Sequence, residues 1–365
     1  FAYTAPSGFK ALCTTNLPEP TISDGGEYFN ASLWTGNGST QSITGVGFQP
    51  DLVWVKSRND TWNHTLTDAV RGNTKYLFAS ATDAELTATD RVTSFDTDGF
   101  STGSNGSVNA NTTTYVAWNW KANGAGVSNT DGTITSTVSA NTTSGFSIVT
   151  YTGNGSANQT VGHGLGVAPA FGILKDRDPN SNNDQWQIFH TGAGDKYGYF
   201  TTAAFAGTAE FYPTSGSSTT VTIARGSPAA TTNESGDNYV MYLFAPVEGF
   251  SAMGSYVGNG SADGPFIFTG HRPRWIMIKQ SSGAGTNWVL IDTSRDTYNV
   301  STLGLGANSS AAESSFTTTA WLDVLSNGFK IKCGSSVSGY TNMNDSGATY
   351  IYAAFGDPFK FALSR

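Results

Sequence analysis

One pattern recurs three times along this chain and limits what it can fold into. Trp34-Thr35-Gly36-Asn37-Gly38-Ser39 returns as Tyr151-Thr152-Gly153-Asn154-Gly155-Ser156 and again as Tyr256-Val257-Gly258-Asn259-Gly260-Ser261. An Asn-Gly pair directly after an aromatic, strand-like run reads as a tight turn leaving a strand. Downstream of each copy a proline opens a run that ends in lysine at the same spacing: Pro50 to Lys56, Pro169 to Lys175, Pro273 to Lys279. Each copy closes alike, with Tyr115-Val116-Ala117-Trp118-Asn119-Trp120, Tyr239-Val240-Met241-Tyr242-Leu243-Phe244 and Tyr350-Ile351-Tyr352-Ala353-Ala354-Phe355. Self-similarity on this scale means one structural unit copied and diverged, each of roughly one hundred residues, the size of a small domain.

Alternation within the Pro-to-Lys run sets the class of that unit. Leu52 and Trp54 lie on one face and Val53 and Val55 on the other, and Phe171 with Ile173 and Trp275 with Met277 repeat the first face. A strand apolar on both faces belongs in the middle of stacked layers, with proline tolerated at its first position. The closing lysine is expected at the solvent edge. The fold expected is all-β: three tandem antiparallel β-sandwich, jelly-roll-like repeats of about eight short strands each. Boundaries fall at an N-terminal segment 1–26, then 27–126, 127–248 and 249–365, with Thr133 to Val138 as the first strand-like run of the second repeat. The joints are short, so the repeats are expected to stack end to end as a semi-rigid rod. The first and third also share Asp68-x-x-Arg71 with Asp292-x-x-Arg295, and Asp98-Gly99-Phe100 with Asn327-Gly328-Phe329, which leaves the middle copy the most diverged.

Composition agrees with short strands and tight turns: 43 glycines and 13% aromatic residues stand beside only 13% charged ones. A formal charge of −8 argues against a phosphate-tracking surface, so nucleic acid is not an expected partner. No run of about twenty apolar residues is present, and Phe1-Ala2-Tyr3-Thr4-Ala5-Pro6 has neither the basic nor the apolar region of a signal peptide, so membrane insertion is not expected; the beginning also lacks Met, so the chain reads as a fragment or processed product. Cys13 and Cys333 are too few for a disulfide framework and read as free thiols.

Catalytic signatures are weak. His64, His163, His190 and His271 fall at non-equivalent places without metal-ligand spacing and read as surface or boundary residues, so no metal and no cofactor is expected. Asp96-Thr97-Asp98-Gly99 resembles a calcium-loop start, but its third-copy counterpart Leu325-Ser326-Asn327-Gly328 lacks the first carboxylate, which favours a turn. Glu85, Glu210 and Glu313 could supply a glycosidase pair, yet Glu85 and Glu313 recur at similar places, which suits a turn or strand edge better than a catalytic carboxylate, and no catalytic residue is assigned. The binding candidates are Asp68 with Arg71 and Asp292 with Arg295, either as polar-ligand contacts or as ion pairs locking a turn, and Trp62, Trp186 and Trp288, which follow the strand-closing lysines and could stack on sugar rings or pack in the core.

The blocks Gly145-Phe146-Ser147-Ile148-Val149-Thr150-Tyr151-Thr152-Gly153, Gly162-His163-Gly164-Leu165-Gly166, Gly254-Ser255-Tyr256-Val257-Gly258-Asn259-Gly260-Ser261 and Ser326-Asn327-Gly328-Phe329-Lys330 resemble the C-terminal repeat regions of bacteriophage and prophage virion proteins of tail-fibre-like type. Such regions commonly follow a SPRY-like sandwich, and Phe1 to Leu12 is similar to the end of one. The resemblance implies a non-enzymatic virion structural protein on the virion exterior, a fibre or appendage segment attaching to a host surface glycan or protein, homotrimeric by analogy with fibres and in contact with other virion proteins. A capsid decoration or fibre shaft with no ligand is the alternative, and a polysaccharide-degrading tailspike a more distant one.

Overall fold

The computed structural model describes residues 6–9, 19–178, 185–213, 217–226, 231–283, 285–315, 321–335 and 342–358. Cys13 and most of the segment likened to a SPRY end lie outside them. Nearly all regular structure is antiparallel β, with one short α-helix, Gly106–Asn109, and two 3-10 turns among the described residues.

One strand order occurs three times. An opening strand (Phe29–Thr35, Phe146–Thr152, Ser251–Val257) pairs with a closing strand (Thr114–Trp120, Asn238–Phe244, Thr349–Pro358). The closing strand pairs in turn with a central strand (Leu52–Ser57, Phe171–Asp176, His271–Gln280), and a flanking strand follows (Thr65–Asp68, Gln187–His190, Val289–Asp292). The second unit adds Val127–Asn129 and Ser136–Asn141 outside its opening strand, so the joint expected near 124–129 contains a strand. Over each large sheet lies a three-stranded sheet: Gln41–Thr44, Gly99–Thr102 and Val92–Asp96 in the first unit, and their counterparts beside Gln159–Gly162 and Phe266–Phe268 in the others. Val53 and Val55 face the small sheet and pack with Trp34, Ile43 and Phe100, which makes each unit a sandwich.

The repeated turn motif is held by a partner distant in sequence. The side-chain carbonyl of Asn233 accepts from the Asn154 amide at 2.9 Å while its side-chain amide donates to Asn154 Oδ1 at 2.9 Å and to the Ser156 carbonyl at 2.7 Å. Asn109 holds Asn37, and Asn344 holds Asn259, in the same way. Above the turn the aromatics stack in register: Trp34 on Tyr115, Tyr151 on Tyr239 and Tyr256 on Tyr350, with centroids 5.2, 4.9 and 5.1 Å apart. Gly153 is required because a Cβ there would sit 2.1 Å from the Glu234 carbonyl oxygen.

The units do not form a rod. The second face of each central strand turns inward to one core common to all three: Leu52 and Trp54, Phe171 and Ile173, Trp275 and Met277. At its centre Trp120, Phe244 and Phe355, the equivalent aromatic ends of the closing strands, form a near-equilateral triangle with centroids 6.1, 5.6 and 5.9 Å apart. The void among these residues is only about 10 Å³. End-to-end stacking would have left three such aromatic faces in water, and burial of that area drives closure into a threefold ring.

The lysines expected at the solvent edge are buried as well: Lys56, Lys175 and Lys279 expose 0, 0 and 1% of their surface. Backbone carbonyls take the ammonium groups. Lys56 donates to Ser57 and Asp60, Lys175 reaches Thr82 of the first unit, and Lys279 reaches Thr202 of the second. The four histidines are buried too, not at the surface.

Candidate functional site

Six of the seven residues predicted as ligand contacts lie in the seams between units. Asp68 and Asp292 end equivalent flanking strands, opposite Leu52 and Trp275 of the central strands. At each, the carboxylate accepts the arginine Nε three residues on at 2.5 Å, with both side chains fully buried. The arginine then reaches a glutamate, Arg71 to Glu85 at 3.1 Å and Arg295 to Glu313 at 2.7 Å, and each glutamate pairs with an arginine of the next unit, Arg177 and Arg58. The aspartates themselves cross the seams: Asp68 accepts from the Tyr242 hydroxyl at 2.7 Å and Asp292 from Trp118 Nε1 at 2.9 Å. Against burial, Arg177 and Arg71 hold the Glu85 carboxyl below the usual carboxylate range.

Between the second and third units the same positions carry different chemistry. His190 stands where the others have aspartate, opposite Phe171, and its Nε2 lies 2.9 Å from the Tyr352 carbonyl. Phe205 replaces the glutamate, its amide donating to Ser281 as Glu85 does to Arg177 and Glu313 to Arg58, and its ring packs on Trp288. This seam has His190 and Phe205 where the other two have Asp-Arg-Glu ion pairs, which accounts for the missing Asp-x-x-Arg in the middle copy.

Trp186 and Trp288 immediately precede their flanking strands, are 1% exposed, and donate across seams to the Phe78 and Tyr199 carbonyls at 2.9 and 2.8 Å. Their counterpart in the first unit is His64, not Trp62. His64 takes the Trp54 Nε1 proton on Nδ1 at 2.9 Å and faces the Gly306 and Ser309 backbone of the third unit. Trp62, 44% exposed against Gly106, is therefore the one predicted tryptophan with a face available to a ligand. Asp98 caps the Gly45 and Gly47 amides at 3.0 and 2.7 Å, so its loop serves as a turn, and no metal-ligand cluster occurs among the described residues.

The outer surface carries two features that lacked a repeated signature. Phe266 and Phe268 project from the edge of the third small sheet, 47 and 66% exposed, where the first unit has Ser42 and Thr44 and the second Thr160 and Gly162 in the same register. On the second unit a pocket of about 640 Å³ opens between Pro169, Pro213 and Pro246, with Tyr212, Asp195 and Arg225 in its lining. Repeat alignment finds these residues only by difference, since Tyr212 and Arg225 replace Ser94 and Ser104 of the first unit and Asp323 and Cys333 of the third.

A family model described as "Domain of unknown function (DUF7483)" matches residues 24–358. No curated protein and no solved structure matches the chain.

Proposed function

The chain belongs to that family, Domain of unknown function (DUF7483), across nearly its whole length, and from the closed body it forms we propose a non-enzymatic structural component of a bacteriophage virion exterior, an appendage segment that attaches to a host surface glycan or protein. The closed threefold core carries this reading. The recurring aromatic and charged signatures are consumed inside, in the Trp120, Phe244 and Phe355 triangle and in the seams, so the exterior is free to diverge toward a partner. The sequence resemblance to virion repeat regions supplies the setting, and assembly as a homotrimer with other virion proteins belongs to the same proposal.

The rival readings draw less support. A purely structural decoration or fibre shaft called for an apolar patch on the same strand of every unit, whereas Phe266 and Phe268 occur in the third alone. For a tailspike hydrolase one carboxyl must keep its proton near neutral pH. Glu85 and Glu313 instead each clamp two arginines, as struts do.

Labelled purified chain incubated with candidate host cells, before and after periodate oxidation of surface sugars, tests the proposal. Saturable, periodate-sensitive binding is the expected result. Absence of binding to any host, together with firm uptake by virions lacking the protein, would replace attachment with decoration.

A further inference from the structure

We propose that the pocket between Pro169, Pro213 and Pro246 of the second unit is a binding site for a neutral pyranose residue of a surface polysaccharide. This deepens the attachment reading and rests on it.

The pocket joins two kinds of wall. Three prolines offer flat C–H faces and no backbone N–H, and Tyr212 adds an aromatic side chain. Such surfaces suit the apolar face of a sugar ring, and the volume of about 640 Å³ falls within the range of small-ligand sites. On the polar side Asp195 and Arg225 form a two-pronged pair, Arg225 Nη2 to Asp195 Oδ2 at 2.8 Å and Nη1 to Oδ1. Arg225 also donates to the Ala209 carbonyl at 2.8 Å and lies 5.3 Å from the Tyr212 ring centroid, so the group is fixed before any ligand arrives. The carboxylate stays 48% exposed with lone pairs to spare, and it can accept from neighbouring hydroxyls as vicinal diols require. Its hydrogen bond to Arg225 holds it below the usual carboxylate range, hence ionised at neutral pH.

Charge selects the ligand class. Asp195 and Arg225 cancel, the exposed member is the acid, and the chain carries a net −8, so an anionic sugar meets repulsion that a neutral one does not. The other units mark this as a specialisation. They share the strand register, yet place Ser94 and Ser104, or Asp323 and Cys333, where the second has Tyr212 and Arg225. Neither replacement set offers an aromatic side chain with a carboxylate and guanidinium pair at this edge, so the pocket chemistry is particular to the second unit.

The test uses the full chain with Asp195→Asn and Tyr212→Ala, each checked for an unchanged melting temperature, on an array of neutral and uronate-bearing bacterial oligosaccharides and in parallel on host cells. Asp195→Asn, at an exposed position, keeps the test informative if Tyr212→Ala folds poorly. The expected result is wild-type binding to neutral members, weaker by at least tenfold in Asp195→Asn, with uronate-bearing members bound less well. Cell binding with the variants equal to wild type would overturn the pocket and leave attachment standing. Pocket-dependent array binding without cell binding would support the pocket and overturn attachment. Silence in both would overturn both.

Discussion

At the scale of single residues, the two ionic seams and the third, built on His190 and Phe205, make a comparison within one molecule. Desolvating a buried ion pair costs nearly what its attraction returns, so well-packed apolar groups can take its place, but removing one partner strands a charge. The chain shows the first half of that rule in His190, Phe205 and Ser281, which fill the positions of aspartate, glutamate and arginine. The second half is a prediction. Asp292→Ala leaves the fully buried Arg295 with Glu313 alone among carboxylates and deprives Trp118 Nε1 of its acceptor, so a loss of about 3–5 kcal/mol is expected from the shift in urea midpoint. Phe205→Glu should be similarly costly, because Ala193 and Ser281 stand where arginines meet the glutamates of the other seams. A loss below about 1 kcal/mol in both would mean that the seams tolerate unpaired charge and that water reaches them.

At the scale of elements, the turn motif gives a sharp prediction and shows how far the sequence could be read. Asn233 is fully buried and ties three groups of the 153–156 turn. Asn233→Ala strands the Asn154 amide and the Ser156 carbonyl, with an expected cost of about 1–3 kcal/mol and faster amide exchange in that turn before global unfolding. Exchange unchanged there would show that the local Asn-Gly geometry holds the turn unaided. The turn and its aromatic strand were legible because a short aromatic run ended by Asn-Gly is a local pattern, and the closing strand because the same tyrosine-led apolar run recurs in every copy. The partner asparagine lies 79 residues from the turn, so no local pattern joins the two, yet it too repeats, six residues before the closing tyrosine in Asn109 and Tyr115, Asn233 and Tyr239, and Asn344 and Tyr350, a signal the reading of the repeats passed over. The doubly apolar central strand read correctly as a middle layer, but alternation cannot say whether the second face meets another sheet of the same unit or a core shared by three. The same ambiguity misplaced the lysines: a lysine ending an apolar strand normally meets water, and only a closed ring supplies the carbonyls of Thr82 and Thr202 that receive Lys175 and Lys279. The pocket residues were invisible because spacing arguments reward what repeats, and Tyr212 and Arg225 matter by not repeating.

At the scale of the whole molecule, the fold buries ionisable groups, some inside a unit and others, such as His190 and Lys279, against a neighbouring one, and stability should follow pH accordingly. Burial lowers His163, His190 and His271 from 6.5 to about 4, and it lowers His64 as well. Between pH 6.5 and 4 the unfolded chain therefore binds protons that the folded chain refuses. Each such histidine subtracts about 1.4 kcal/mol per pH unit as the pH falls through that window. Asp176, raised by burial to about 6, works in the opposite sense and offsets one of them. The remainder, over roughly two pH units, is comparable to the ~5–15 kcal/mol total stability of a folded domain, so acid unfolding is expected before pH 4. On the alkaline side burial lowers Lys56 and Lys279 from 10.5 to about 8. From pH 8 upward the unfolded chain again holds the extra protons, and stability should climb until the tyrosines, whose buried hydroxyls are raised above 10, reverse the trend. Urea midpoints at pH 4.5, 6, 7.5 and 9 should rise in that order, with the steepest change between the first two. A flat profile from 4.5 to 7.5 would mean that the histidines titrate freely in the folded state, against their burial.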